Sequence, residues 1–240
     1  FANKLSWKEF TRSNQPIQVR ATCKQSKIYH SGAVIERFQN ALHASVGKGL
    51  EYVKGEDLPP YTQRIIVRIF NNVVTVSIDS SGEHLHKRGY RFATAKAPMR
   101  ENIAAGCIAS MGYTGAHPFL DPMTGSGTLA IEAAMIAINR APGLLREFSF
   151  MQWPMFRPKK WQTLLEHTRK QERPATAPVI ASDRHPGAIE AALQNAEAAG
   201  VQEYIQFERA TLSDRVRDLP EESGSCFLNP PYGERMGKQG

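Results

Sequence analysis

The period of apolar positions changes along this chain, and the changes divide it. From Pro16 to Cys23, and again from Arg64 to Ser77, apolar residues alternate with polar ones and many are β-branched, the pattern of half-buried strands. Between them, Gly32 to Val46 spaces Ala33, Val34, Phe38, Ala41, Leu42 and Val46 as one face of a helix. Asn71-Asn72 separates IIVRIF from VVTVSI and predicts a tight hairpin turn. Residues 1–80 therefore read as a small α+β unit, and Ser80-Ser81-Gly82 breaks the pattern at a boundary.

Residues 81–117 read as a connector. It carries a basic, aromatic stretch, LHKRGYR, and then a predicted helix over residues 97–113 with Pro98 near its start and Gly112 near its end. From about residue 118 the pattern becomes strand, glycine turn, helix. Phe119-Leu120-Asp121 ends a strand, Met123 to Gly127 turns, and Thr128 to Asn139 is apolar on nearly every side, as a helix buried against a sheet would be. VIASD (179–183) and a helix from Ala188 to Ala199 closed by Gly200 repeat the unit; YIQFERA (204–210) and CFLN (226–229) supply two more strands. Strands alternating with helices predict a parallel α/β sheet. Residues 142–178 interrupt the alternation with prolines and five aromatics. They read either as a functional or partly disordered loop, or as an excursion that packs its aromatics over the sheet. Residues 118–240 thus form a second domain, which the pattern expects to lack its later strands, as residues 1–80 lack their beginning.

Composition narrows the classes. With 41% apolar and 22% charged residues the chain is neither a disordered tract nor collagen-like. No apolar run approaches the ~18 residues of a membrane span, and no signal-peptide pattern follows Phe1. Three scattered cysteines (Cys23, Cys107, Cys226) fit a reduced cytoplasmic protein, with neither a disulfide framework nor a metal cluster. Charge is uneven: residues 1–120 hold 16 Lys and Arg against 8 Asp and Glu, while residues 121–240 hold 14 against 15. The first half reads as a polyanion contact or as an ordinary basic surface.

The candidate chemistry lies in Asp121-Pro-Met-Thr-Gly-Ser-Gly-Thr128, Asp183 and Asn229-Pro-Pro-Tyr232. Gly125 and Gly127 allow a sharp strand-to-helix turn and close approach of a ligand to the backbone. No Lys follows the second glycine, so this is not a phosphate loop, and the glycines flank Ser126 too closely for a nucleophile elbow. Asp183 ends the next strand, either as a ribose-binding acid or as a helix N-cap. Two prolines remove N–H donors after Asn229 and leave its carbonyl and that of Pro230 as acceptors for a planar –NH2 group, with Tyr232 as a stacking ring. The bland alternative is a polyproline turn after a strand.

FLDPMTGSGT, SDRHPGAI and NPPYGER resemble the nucleoside-binding, ribose-binding and catalytic motifs of class I S-adenosylmethionine-dependent methyltransferases that modify exocyclic amines. LHKRGYR followed by APMRENIAA is similar to the THUMP-containing guanine-N2 methyltransferases of bacterial large-subunit ribosomal RNA. The resemblance runs over the whole chain. It implies a Rossmann-like methyltransferase sheet preceded by a small α+β THUMP-like domain, with S-adenosylmethionine as cofactor, ribosomal RNA as partner, no metal and no membrane. It implies cofactor contacts from Asp121, Thr124, Gly125, Gly127 and Asp183. Asn229, Pro230 and Tyr232 would hold the target amine, and Lys87, Arg88 and Arg91 the RNA backbone. An acid that often meets adenine after the third strand is replaced here by Thr211, with Asp214 as the alternative. Two rival functions remain: adenine-N6 methylation of DNA, which NPPY serves equally well, and RNA binding by a chain whose methyltransferase half is inactive. A nicotinamide fold is excluded, because Ile131 and Glu132 stand where its third glycine would be.

Overall fold

A computed structural model describes residues 1–47, 49–93, 98–217 and 223–230. The chain divides into two compact units, Phe1–His84 with Glu147–Trp161, and Leu85–Arg146 with Gln162–Gly240.

The first unit contains β1 (Pro16–Lys24), α1 (Ser31–Val46), β2 (Glu51–Tyr52), β3 (Gln63–Phe70) and β4 (Val73–Ile78). Its sheet runs β2-β1-β3-β4; β1 is parallel to both neighbours, and β3 and β4 form an antiparallel hairpin. Asn71 and Asn72 have φ of +48° and +63°, the left-handed pair that a two-residue hairpin turn demands and that Asn tolerates. Alternation puts Ile65, Val67 and Ile69 on one face, where Val34, Phe38 and Leu42 of α1 join them with Ile17, Val19 and Trp7 in a single core.

The second unit contains α2 (Glu101–Ser110), β5 (Phe119–Asp121), α3 (Thr128–Ala137), α4 (Pro158–Arg169), β6 (Val179–Asp183), α5 (Pro186–Ala199), β7 (Ile205–Arg209), α6 (Leu212–Arg217) and β8 (Ser225–Cys226), α4 beginning in the first unit. The strands are parallel in the order β7-β6-β5-β8. The chain steps outward from β5 to β6 to β7, then returns to the other flank of β5. The order reverses between β5 and β8, and the strand C-termini there open the crevice in which open α/β sheets bind ligands. α3 is buried on every residue except Ile136, as its all-round apolar pattern predicts. The last strand is shorter than expected. Pairing ends at Cys226, although the Phe227 N–H still donates to the Leu120 carbonyl.

The excursion departs from the expectation for residues 142–178. It holds a turn of 3-10 helix at Ser149–Gln152 and the helix α4, not a structureless loop. Its aromatics pack within the first unit. Phe150 packs against Trp153, Phe156 and Trp161, Trp153 meets Phe10 edge-on at 5.0 Å, and the Trp153 indole N–H donates to Gln63 Oε1. The Phe150 N–H also donates to the Ser80 carbonyl. A buried indole needs an acceptor, and Gln63 in the first unit provides it.

Gly89 fixes the entry of the connector. Its φ is +101°, and a Cβ there would stand 2.4 Å from the Leu145 carbonyl oxygen. Gly89→Ala is expected to lower stability by at least the ~1–3 kcal/mol of a strained backbone. Urea unfolding midpoints check this; a shift of less than ~0.5 kcal/mol, the range of ordinary surface substitutions, would refute it.

Candidate active site

The C-terminal ends of β5 and β6 are joined through the glycine turn. The Thr124 N–H donates to the Ser182 carbonyl at 2.9 Å, and the Gly127 N–H to the Thr124 carbonyl at 2.8 Å. The Gly125 N–H donates to Asp183 Oδ2 at 3.1 Å. Gly127 has φ +87°, and a Cβ on it would lie 3.0 Å from that of Ala192, so the turn can lie against α5 only as glycine. Asp183 is half-buried and also accepts from the His185 N–H at the start of α5, at 3.0 Å. The N-cap of α5 is His185, so Asp183 is not the cap expected of it; from the end of β6 it holds the backbone of the cap residue and of the glycine turn.

Asp121 has no exposed surface. Its Oδ1 accepts a long bond from the Met123 N–H at 3.4 Å, and its Oδ2 has no partner among the described residues. The hydroxyls of Ser126 and Ser182 are likewise buried and without a partner among the described residues, while the Thr124 hydroxyl faces the Asp121 carboxyl. Burial raises the Asp121 carboxyl to about 7; hydrogen bonds from the Thr124 hydroxyl and the Met123 N–H oppose the rise, and the Asp183 charge adds a smaller push upward. A buried carboxylate with a vacant oxygen, amid hydroxyls with unused hydrogen-bonding capacity, fits a cationic, donor-rich ligand.

Across the reversal point, Asn229 is half-buried and Pro230 exposed, both just beyond β8. The Asn229 amide has no hydrogen-bond partner among the described residues. Tyr232 lies outside the described residues. Thr211 and Asp214 engage each other. The Thr211 N–H and hydroxyl donate to Asp214 Oδ2, and the Asp214 N–H donates back to Thr211 Oγ1 at 3.2 Å. This reciprocal cap starts α6, so the two candidates for the adenine contact are joined in a helix cap.

Of the three basic candidates of the connector, Lys87 is exposed. The other two, expected on an RNA backbone, spend their charge inside the unit. Arg88 lies 3.5 Å from Glu132 Oε2. Arg91 Nε donates to Glu101 Oε1 at 2.9 Å, and its terminal N–H groups reach the Met99 carbonyl and Thr128 Oγ1 at 3.0 Å. The Tyr90 hydroxyl completes the cluster by donating to Glu132 Oε1 at 3.0 Å. Burial pushes the Glu132 carboxyl up, and the Arg88 charge opposes it. Glu101 and Glu132 sit on the two helices that flank the turn and are buried, so they need these partners.

Asn195 of α5 is a residue that sequence reasoning missed. It is 1% exposed. Its Oδ1 accepts from the Phe92 and Ala93 N–H groups, and its Nδ2 donates to the Ala93 and Ser126 carbonyls, at 2.9–3.0 Å. One amide thus ties the connector to the glycine turn. Its signal was its place on the face shared by Ala192, Ala196 and Ala199. Among the described residues no group of His, Cys, Asp and Glu could hold a metal ion, and no helix is long and apolar enough to cross a membrane.

The family model of the RMKL-like methyltransferase domain, UPF0020, matches residues 88–240. A ribosomal RNA large subunit methyltransferase K/L of Syntrophotalea carbinolica is 37% identical over a stretch covering 98% of this chain and 34% of that protein. Among solved structures, a predicted N6-adenine-specific DNA methylase from Listeria monocytogenes superposes with a TM-score of 0.80 at 31% identity, over 98% of this chain and 61% of that one. A protein assigned as a methyltransferase and complexed with SAH gives 0.77 at 27% identity, over 99% of this chain and 63% of that one. The chain therefore spans about a third of the curated relative and about three-fifths of the two solved chains.

Two outcomes follow from this geometry. Folding raises the Asp121 pKa from 3.8 to about 7, so the folded state holds that proton more tightly. The resulting stability is complete below about pH 4, falls as pH rises through about 7, and is absent above. Urea midpoints across that range are expected to show this decline, and Asp121→Asn to flatten it; parallel profiles would contradict the assignment. Asn195→Ala leaves the buried Ser126 carbonyl without its donor, at ~1–3 kcal/mol, and is expected to lower the unfolding free energy by about that. An unchanged midpoint would show the tie to be dispensable.

Proposed function

Because this chain belongs to the UPF0020 family of RMKL-like methyltransferase domains, we propose that it is a methyltransferase. In this reading it moves a methyl group from S-adenosylmethionine to the exocyclic N2 amine of a guanine in large-subunit ribosomal RNA. The observation that carries the cofactor assignment is the buried, half-partnered carboxylate of Asp121 beside the glycine turn. The structure neighbour complexed with SAH supports it, and the ribosomal RNA methyltransferase relative supports the choice of RNA.

Each residue has a task in this reading. Asp121 and the turn at Thr124, Gly125 and Gly127 receive the methionine end, whose ammonium group meets the vacant carboxylate oxygen. Asp183 takes the ribose hydroxyls while keeping its bonds to Gly125 and His185. Thr211 or Asp214 faces the adenine. When bound, the cofactor supplies an electrophilic methyl on a sulfonium. The guanine amine is a poor nucleophile because its lone pair is delocalised into the ring. The carbonyls of Asn229 and Pro230 and the Asn229 side chain accept its N–H groups, hold the nitrogen toward a pyramidal geometry and stabilise the positive charge that develops there. Tyr232 stacks on the base once it has left its helix. Residues 1–80 act as a THUMP-like RNA-binding domain, 81–117 as connector and 118–240 as the catalytic domain, in the cytoplasm. Lys87 remains the connector's candidate for a phosphate contact.

A second reading, adenine-N6 methylation of DNA, draws on the Listeria monocytogenes neighbour. One experiment separates the two. The full-length protein is incubated with labelled S-adenosylmethionine and, separately, ribosomal RNA, transfer RNA and DNA. Label is expected in large-subunit RNA as N2-methylguanine; label in DNA adenine would install the rival, and none anywhere would overturn both. In single-turnover reactions at saturating cofactor and RNA, Asn229→Ala is expected to react about a hundredfold more slowly, with cofactor affinity nearly intact. A near-normal rate per folded molecule would remove Asn229 from the chemistry.

A further inference from the structure

We propose that the face of the first unit's sheet turned away from α1 is a platform for single-stranded RNA, an inference that rests on the RNA reading above and names the surface and the form of RNA. Strand alternation assigns the face. With Ile17, Val19, Ile65, Val67 and Ile69 against α1, the intervening residues of β1 and β3 point the other way. That outer face is not the polar surface expected of a solvated sheet. Ile66 is 44% exposed, Phe70 39% and Val73 65%, and Val73 pairs directly with Phe70 across the hairpin.

Cations surround this apolar strip. Lys24 is the register partner of Phe70 on β1, and Arg20 that of Ile66. The Arg68 guanidinium lies 5.6 Å from the Phe70 ring centroid. Arg20, Lys24 and Arg68 are exposed, and β1, β3 and β4 contain no Asp or Glu. The loop after β1 extends the patch. It is pinned to the hairpin turn by the Lys27 N–H donating to Asn72 Oδ1 and the Asn72 N–H to Ser26 Oγ, at 2.8 and 2.9 Å, and it carries the exposed Lys27 and Tyr29.

The pattern selects the ligand. The acids of this sheet, Glu51 beside Pro16 and Asp79 paired with Arg64, lie at the end away from Phe70, and the cations around Phe70 call for a polyanion. An aromatic ring between them calls for a polyanion with flat apolar faces. Unpaired bases offer such faces to a ring, whereas an A-form duplex stacks its bases out of reach. Acidic peptides would satisfy the cations but leave Phe70 and Ile66 without a flat partner.

Fluorescence anisotropy on the full-length protein tests this with two probes, a short fluorescein-labelled oligouridine and an RNA duplex of the same length. Wild type is compared with Phe70→Ala and with Lys24→Glu/Arg68→Glu, and S-adenosylhomocysteine calorimetry and melting temperature monitor the fold. Wild type is expected to prefer the single strand. Phe70→Ala is expected to weaken that binding about tenfold, the scale of one base–aromatic stack. The charge-reversed variant should lose more and show a shallower dependence on salt, with cofactor affinity and melting temperature unchanged. Equal binding of oligouridine by all three proteins would overturn the platform and leave the RNA reading standing, as would a preference for duplex unaffected by either variant. No binding of either RNA by wild type would overturn both.

Discussion

A carboxylate removed from water must be met by a partner, and at Asp121 the protein meets only half of it. The site is arranged around that deficit. β5 is an inner strand of the parallel sheet, and its last residue is paired with Ala181 of β6 just past the end of the β8 pairing. The turn that follows needs Gly127 because α5 lies against it, and Asp183 holds the turn through the Gly125 N–H. The result is a carboxylate oxygen and the hydroxyls of Ser126 and Ser182 without partners among the described residues, near the strand ends of β5 and β6. Such groups cost free energy when left unpaired, and a cationic ligand with donors relieves that cost.

The connector serves this arrangement from behind. Arg88 and Arg91 neutralise Glu132 and Glu101, Tyr90 donates a hydrogen bond to Glu132, and the Thr128 hydroxyl at the start of α3 is held by the same arginine that holds Glu101. A basic and aromatic stretch that reads in isolation as a nucleic-acid contact is largely an internal brace. The excess positive charge of the first half of the chain is then better sought on the sheet of the first unit, where Arg20, Lys24 and Arg68 face outward.

Much of this was legible in the residues. The glycine turn, the all-round apolar α3 and the αL closures at Asn71-Asn72 and Gly200 are local signals, and local chemistry decided them. α4 was also written in the chain, with Pro158 at its first position and Trp161, Leu165 and Thr168 half-buried on one face, but the prolines around it disguised it as a loop. The fate of the basic motif was not legible, since a salt bridge between Arg91 and Glu101 depends on tertiary packing. Asn195 was hidden for the same reason: a polar residue on a helix acquires its meaning only when another segment closes over it. Thr211 with Asp214 shows the converse, because Thr-x-x-Asp before a helix is a readable cap.

The role proposed for Asp121, to receive the cationic end of S-adenosylmethionine, has a direct test in proton linkage. With its pKa at about 7, Asp121 is mostly protonated one unit below that value. Binding an ammonium group there must expel the proton. Titration calorimetry of S-adenosylhomocysteine at that pH, in two buffers of different ionisation enthalpy, is predicted to give heats that differ by the release of a proton, a difference absent in Asp121→Asn. Buffer-independent heats in the wild type, together with equally tight binding by Asp121→Asn, would contradict the account.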